Sequence, residues 1–342
     1  MKSSLSLYFN MLCHPLLIIC LMLGIGCLPL WEAALAANLE KVVFIPQWLP
    51  QAQFAGYYMA HEKGFYRQHG LAVEIRRGGP HSCAAECVQN FQADFGTMFL
   101  TAGIEKRAQG IGIINIAQIV QKSGLLLVSQ KKHGILRPQD LMGKRVGLWA
   151  GDFQIQPRLF FHKYNLFVKI IPMGEGVNLF LRQGLDATSA MRYNEYHLLL
   201  NSGLNPEELT VFDMAEHGFD FPEDGIYCLE ETWRRHPSRC RAFVAASLAG
   251  WRYAFAHPEE TLDIVMRYVT EAHIKTNRVH QKWMLAQLQE LIEPPGKAIP
   301  MGLLVPQTYR QVAQELQNYL LIKTIPPYEE FYRDCQSDVE KR

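Results

Sequence analysis

The stretch Lys41–Ile75 reads KVVFIPQWLPQAQFAGYYMAHEKGFYRQHGLAVEI, and its hydrophobic period changes twice. Lys41–Pro46 is β-branched and aromatic, the composition of a strand that runs out into a loop at Gln47–Gln51. Over Gln53–His69 the apolar residues Phe54, Tyr57, Tyr58, Ala60, Phe65 and Tyr66 recur at helical spacing, with a break near Gly64. Gly70 closes that helix, and Leu71–Ile75 alternates as a second strand. Strand, helix and strand in this order make a right-handed βαβ unit of a parallel sheet.

The alternation continues outward. A turn at Gly78-Gly79-Pro80 leads to a short helix over Ala84–Phe91, a strand at Asp94–Phe99, a helix over Thr101–Gln109 and a buried strand within Ile111–Val120. After Gly124 the pattern restarts: Leu125–Ser129 is apolar, and strands follow at Lys144–Trp149, Val168–Pro172, Ala187–Met191 and Leu209–Asp213. Helices over Gln156–Tyr164, Val177–Gln183 and Asn194–Asn201 lie between them. From Pro237 the character turns to long amphipathic helices: Pro237–Ala256, Pro258–Ala272, Val279–Ile292 and Pro306–Leu320. The expected fold is therefore α/β in two lobes of mixed, mainly parallel sheet flanked by helices. Residues 38–127 and 229–342 make a discontinuous first lobe and 128–228 the second, with crossings around Leu125–Ser129 and Gly225–Leu229. Such folds bind ligands beyond the carboxyl ends of their strands and between lobes.

Composition narrows the function. The 342 residues carry 34 Lys+Arg against 33 Asp+Glu, a formal net charge of +1, which argues against a nucleic-acid partner. Hydrophobic residues make up 49%, enough for a sizeable core and too many for disorder. The first residues form a leader: Lys2, an apolar run from Leu16 to Leu30, then Ala34-Leu35-Ala36, the pattern of a secretory signal over residues 1–36. Two other readings stand beside cleavage, an uncleaved anchor and lipidation at Cys27 within Leu23-Gly24-Ile25-Gly26-Cys27. Either way the mature chain is expected outside the cytoplasmic membrane. Three of the eight cysteines fall in the leader, leaving Cys83, Cys87, Cys228, Cys240 and Cys335, an odd number that cannot form a complete disulfide framework. Cys83 and Cys87, with His81, lack the second Cys/His pair of a tetrahedral metal site and read as small side chains at a helix start. A local Cys83–Cys87 disulfide stays open.

Four clusters follow expected strands. Trp48 lies between prolines ahead of Gln51, Gln53 and Tyr57; Trp and Tyr either stack on a flat ring whose edge the amides read, or are core aromatics. Gly78-Gly79-Pro80-His81 offers backbone N–H groups or is only a turn. In Trp149-Ala150-Gly151-Asp152-Phe153, Asp152 caps the next helix or walls the cleft. Met191-Arg192-Tyr193-Asn194-Glu195-Tyr196 sets a carboxylate beside aromatics, suited to an amino-bearing heterocycle, while Asn194 also suits an N-cap. Asp224, in Pro222-Glu223-Asp224-Gly225, either reaches the cleft or makes a turn. There is no G-x-S-x-G elbow, P-loop, H-E-x-x-H or paired-carboxylate motif.

These residues resemble a known family. Gln47-Trp48-x-Pro50 and Gly56-Tyr57-Tyr58-x-Ala60-x3-Gly64-Phe65-Tyr66-x3-Gly70-Leu71-x-Val73 match its opening. Ala93-Asp94-Phe95-Gly96, Arg107-Ala108-x-Gly110, Asp140-Leu141-x-Gly143-Lys144-Arg145-Val146-Gly147 and Ala190-Met191-x-Tyr193-Asn194-Glu195-Tyr196 continue it in order. The resemblance, from about Lys41 to Met266, is to the family grouping thiamine-pyrimidine and alkanesulfonate ABC solute-binding proteins with the fungal thiamine-pyrimidine synthases. It implies a type II periplasmic binding protein fold and a periplasmic, monomeric protein. Its partners would be a small pyrimidine-like ligand and a membrane ABC permease. The ligand implied is a thiamine-pyrimidine precursor, formylaminopyrimidine or hydroxymethylpyrimidine. By that likeness Trp48 and Tyr57 stack on the ring, Tyr193 and Glu195 contact its ring nitrogen and amino group, and Gly151, Asp152 and Phe153 line the far wall. Gln53, Asn194 and Asp224 complete the expected ligand-binding set, with no catalytic residue, metal or cofactor. Fungal members carry a run of cysteines after a histidine in the second lobe; His217-Gly218-Phe219-Asp220-Phe221-Pro222 has none, which disfavours the synthase role. An extracytoplasmic sensor partnering a membrane histidine kinase is the alternative.

Overall fold

The computed structural model describes residues 39–336 apart from His81 and Lys297; the leader, with Cys27, and His81 lie outside the described residues. In chain order the first part comprises β1 (Glu40–Ile45), α1 (Ala55–Glu62), α2 (Phe65–Gln68), β2 (Leu71–Ile75), α3 (Ala84–Gln89), β3 (Phe95–Phe99), α4 (Leu100–Ala108) and β4 (Ile113–Gln118). The second comprises β5 (Leu125–Gln130), β6 (Arg145–Leu148), α5 (Ile155–Lys163), β7 (Lys169–Pro172), α6 (Asn178–Leu181), β8 (Ala187–Met191), α7 (Glu195–Asn201) and β9 (Leu209–Asp213). The chain then returns through β10 (Asp224–Leu229) and α8 (Glu230–Arg235). It ends in α9 (Pro237–Ala256), α10 (Pro258–Glu271), α11 (Arg278–Ile292), α12 (Pro306–Asn318) and α13 (Tyr328–Phe331).

Two five-stranded sheets result, ordered β2-β1-β3-β10-β4 and β7-β6-β8-β5-β9. Pairing is parallel for β1 with β3 and for β6 with β7 and β8. It is antiparallel where a strand follows a crossing: β10 against β3 and β4, and β5 against β8 and β9. The sheets are thus more mixed than the βαβ reading anticipates, because β5 and β10 enter their sheets directly from the crossings rather than through a crossover helix. Both strands lie wholly inside a sheet, so the crossings fall at residues 119–124 and 214–223, just ahead of the two segments, Leu125–Ser129 and Gly225–Leu229, where the sequence reading puts them.

Local chemistry explains the helix boundaries. Gly64, at φ +74°, takes the left-handed conformation that separates α1 from α2. Prolines stand at the first turn of α9, α10 and α12, where a missing N–H costs nothing. Helix α1 lies against α9 with almost no side chain between them. A Cβ on Gly250 would come 2.1 Å from the Gly56 carbonyl oxygen, and one on Gly56 would come 2.2 Å from the Trp251 ring. This contact seats the first-lobe aromatic core, where Phe243 of α9 stacks on Phe95 at 4.3 Å and on Tyr66 at 5.2 Å. The second lobe adds a smaller cluster around Leu126, Val128, Phe180 and Leu199. No helix among the described residues is long and apolar enough to cross a membrane.

Candidate functional site

The carboxyl ends of four strands converge on one cavity between the sheets. The loop after β1 supplies Trp48, Gln51 and Gln53, and β3 ends in Phe99. The turn after β6 supplies Trp149 and Phe153, and the end of β8 supplies Met191, Tyr193, Asn194 and Glu195. The cavity measures ≈ 20 Å³, room for about one water molecule. Phe153 is part of its wall. Its ring meets Trp48 and Phe99 of the first lobe edge-on, both at 5.3 Å, and Trp149 of its own lobe at 6.2 Å. Trp48, Gln51, Asn194 and Glu195 also line a wider groove of ≈ 420 Å³, which includes Arg77, Glu175 and Lys275. A ring-sized guest in the inner cavity therefore requires Phe153 to swing or the lobes to part.

The polar groups form two buttressed sets. Gln51 Nε2 donates to Gln53 Oε1 at 2.6 Å, and Gln53 Nε2 donates to Asp224 Oδ2 at 2.8 Å. Asp224 also accepts from Gln47 Nε2. Burial drives the Asp224 carboxyl up to about 7, and the two amide donors restrain the rise. In the second lobe Glu195 Oε2 accepts from the Met191 N–H at 3.0 Å and Oε1 from Asn194 Nδ2 at 2.9 Å. Burial likewise pushes Glu195 up to about 7, with the Met191 N–H pulling it back.

Asn194 carries the chain across the cleft. Its Oδ1 lies 2.8 Å from His280 Nε2 on α11, and His280 Nδ1 lies 2.9 Å from His197 Nδ1 on α7. Because Asn194 Nδ2 already donates to Glu195, Oδ1 must accept from His280 Nε2–H. One proton between His280 Nδ1 and His197 Nδ1 makes their bond, and Asn201 Nδ2 lies 3.3 Å from that same His197 nitrogen. The two imidazoles stack at 5.1 Å and 13°, and Trp283 stacks on His197 at 4.7 Å and 5°. Trp283 Nε1 also donates across to the Arg192 carbonyl at 3.1 Å. Burial, with His197 alongside, lowers His280 to about 4, and burial lowers His197 as well.

Glu223 ties the crossings to the site. Its buried carboxylate accepts from the Gly124 N–H on one crossing and, at 3.2 Å, from the Tyr193 hydroxyl. Burial holds its carboxyl well above the ordinary range.

Of the ten residues expected at the ligand, Trp48, Gln53, Phe153, Tyr193, Asn194 and Glu195 line this cavity. Tyr57 does not. It is buried beneath, against Phe44 at 4.6 Å and Trp251 at 5.8 Å, because the inward face of α1 packs on the first sheet. Asp224 stands behind Gln53 rather than in the wall. Asp152 turns to the rim and pairs with Lys106 of the first lobe at 3.3 Å. Gly151, at φ +67°, opens the turn that aims Phe153 and is not itself in the cavity lining. Gln51, Phe99, Trp149 and Met191 join the wall from outside the expected set of ten; Gln51, Trp149 and Met191 lie in the clusters that the strand-end rule marks, and Phe99 ends a strand. Cys83 and Cys87 are free thiols, and no group of metal-capable side chains assembles among the described residues.

Two mixed sheets joined by paired crossings, with a cleft at their strand ends, define the periplasmic-binding-protein fold. The putative sulfonate ABC transporter periplasmic sulfonate-binding protein SsuA of Methylobacillus flagellatus superposes with a TM-score of 0.61 at 14% identity, covering 89% of this chain and 96% of that one. The chain belongs to the NMT1/THI5 like family, whose model matches residues 51–261. The riboflavin-binding protein RibY of Chloroflexus aurantiacus is 22% identical over 69% of each chain. The 4-amino-5-hydroxymethyl-2-methylpyrimidine phosphate synthase THI11 of Saccharomyces cerevisiae is 24% identical over 33% of this chain and 34% of its own length. The chain thus spans only about a third of that synthase.

Proposed function

We propose that this protein is the extracytoplasmic, periplasmic solute-binding component of an ABC importer, delivering a small planar nitrogen heterocycle to a membrane permease. The ligand is a thiamine-pyrimidine precursor, hydroxymethylpyrimidine or formylaminopyrimidine. One observation carries the reading: aromatic rings from both lobes converge with a single carboxylate, Glu195, on a cavity at the strand ends. Aromatic faces bury a flat ring, and the carboxylate takes its amino group. Contacts from both lobes give the closed state the higher affinity, so binding draws the lobes together. The cavity lining holds no Lys, Cys or Ser nucleophile and no His among the described residues, which favours capture over conversion.

A second ligand, riboflavin, is favoured by the alignment with RibY over 69% of each chain. Thermal unfolding with each compound tests both. A ligand held at a hundred times its Kd stabilises by about 2.7 kcal/mol and raises Tm accordingly. Hydroxymethylpyrimidine, formylaminopyrimidine or riboflavin should do so; no shift with any of them refutes the reading.

A further inference from the structure

The lining of the inner cavity includes a buried donor with no partner. Trp149 is 4% exposed and lines the cavity, and its indole Nε1–H has no hydrogen-bond partner. Buried polar groups are nearly always paired, so an orphan N–H in a ligand cavity marks a position where the guest supplies the acceptor. Three polar neighbours are already engaged. Gln53 is used at both ends, Tyr193 donates to Glu223, and Asn194 bridges His280 and Glu195. The Glu195 carboxylate accepts two bonds from protein, at Met191 and Asn194, and a carboxylate has room for about four. The cavity therefore offers a guest a donor at Trp149 and acceptor capacity at Glu195.

Charge adds a second constraint. No Lys, Arg or His is in the inner lining among the described residues, whereas Glu195 is, and the buried acids Asp224 and Glu223 stand directly behind Gln53 and Tyr193. An anionic head would enter a low-dielectric site with no counter-charge in its lining.

We propose that Trp149 is a specificity-determining residue: the bound ring presents an acceptor to its Nε1–H and a donor to Glu195, and sulfonate or other anionic heads are rejected. Aminopyrimidines carry such an acceptor beside a donor on one ring edge, and so does the dione edge of a flavin. The inference rests on the reading of this cavity as the ligand site.

Isothermal titration tests it with 4-amino-5-hydroxymethyl-2-methylpyrimidine, its analogues in which one ring nitrogen or the other is replaced by C–H, riboflavin, and propanesulfonate. Wild-type protein should lose roughly tenfold in affinity for one of the two C–H analogues, the worth of one neutral hydrogen bond. Trp149→Phe, which keeps a flat ring without the N–H, should bind the parent roughly tenfold more weakly. It should bind the affected C–H analogue within about twofold of wild type. Propanesulfonate should give no heat at millimolar concentration. If wild type binds the parent and both C–H analogues equally, the acceptor at Trp149 is refuted while the heterocycle reading stands, and this arm needs no variant to fold. Tight propanesulfonate binding refutes the charge rule. If neither the pyrimidine nor riboflavin binds wild type, the heterocycle reading falls and the Trp149 assignment falls with it.

Discussion

The hydrogen-bonded chain His197–His280–Asn194–Glu195 joins α7 to α11 across the cleft, and its two imidazoles are buried. A proton added to His280 would place a charge in this buried pair, which desolvation and neighbouring His197 oppose. Acidification should therefore open the lobes. His280 is lowered from 6.5 to about 4 by burial and by His197. The closed form thus binds fewer protons than an open form in which His280 is solvated. Closure is fully favoured above about pH 6.5 and is lost as pH falls toward 4. Between pH 7 and pH 5 this one group lowers the closed-to-open ratio roughly 20-fold, and His197, shifted the same way, adds to it. Other charged groups facing His280 across the groove are Arg77, Glu175, His273, Lys275 and Glu195, the last reached through Asn194.

The Trp283 indole N–H, which donates across the cleft to the Arg192 carbonyl, reports opening directly. Its hydrogen exchange, followed by NMR and corrected for the intrinsic pH dependence, should lose roughly 20-fold in protection from pH 7 to pH 5. His280→Gln supplies an amide N–H to Asn194 and a carbonyl to His197 and takes up no proton. Its protection should change less than about threefold over the same range, the remainder coming from His197. Equal loss in wild type and variant, or none in wild type, would refute the latch.

Trp48→Ala and Glu195→Gln should each weaken binding of the pyrimidine at least about tenfold in titration calorimetry, through lost stacking and a lost charge-assisted bond. Circular dichroism should stay unchanged, and normal affinity in both variants would show that the ligand lies elsewhere. Asp224 is raised to about 7, so the stability that depends on its protonated form is complete below about pH 3.8 and lost as pH climbs through 7. Asp224→Asn should consequently show a smaller fall in Tm between pH 5 and pH 8 than wild type; an identical slope would remove Asp224 from the account. Gly250→Ala places a methyl 2.1 Å from the Gly56 carbonyl oxygen, a backbone atom that cannot turn aside. Chemical denaturation should show a loss of about 1–3 kcal/mol or more, and a neutral result would mean that α1 and α9 separate freely.

Much of the fold was legible because strand and helix periods alternate cleanly. Leu71–Ile75, Ala187–Met191, Leu209–Asp213 and Pro237–Ala256 have the ends that the pattern implies. Strand direction was not legible: Leu125–Gln130 and Asp224–Leu229 read as apolar runs whichever way they pair. At the candidate cavity, the rule that ligands sit beyond strand ends marked Trp48, Phe153, Tyr193 and Glu195, all of which line it. It could not tell an aromatic facing the cleft from one facing the sheet. Tyr57, in the first turn of α1, is buried in the core, while Trp149, one residue past β6, enters the wall. His280 was beyond reach, since it lies 86 residues along the chain from Asn194, its partner across the cleft. Glu223 was visible only as an acid ahead of a turn, and its role depends on the meeting of two crossings.

The most direct test of the clamped heterocycle is native mass spectrometry of the protein purified without denaturation from its own cells. A single retained compound per chain, bearing a flat nitrogen ring and no sulfonate, is the predicted result. A retained alkanesulfonate, or any guest without an aromatic ring, would contradict it.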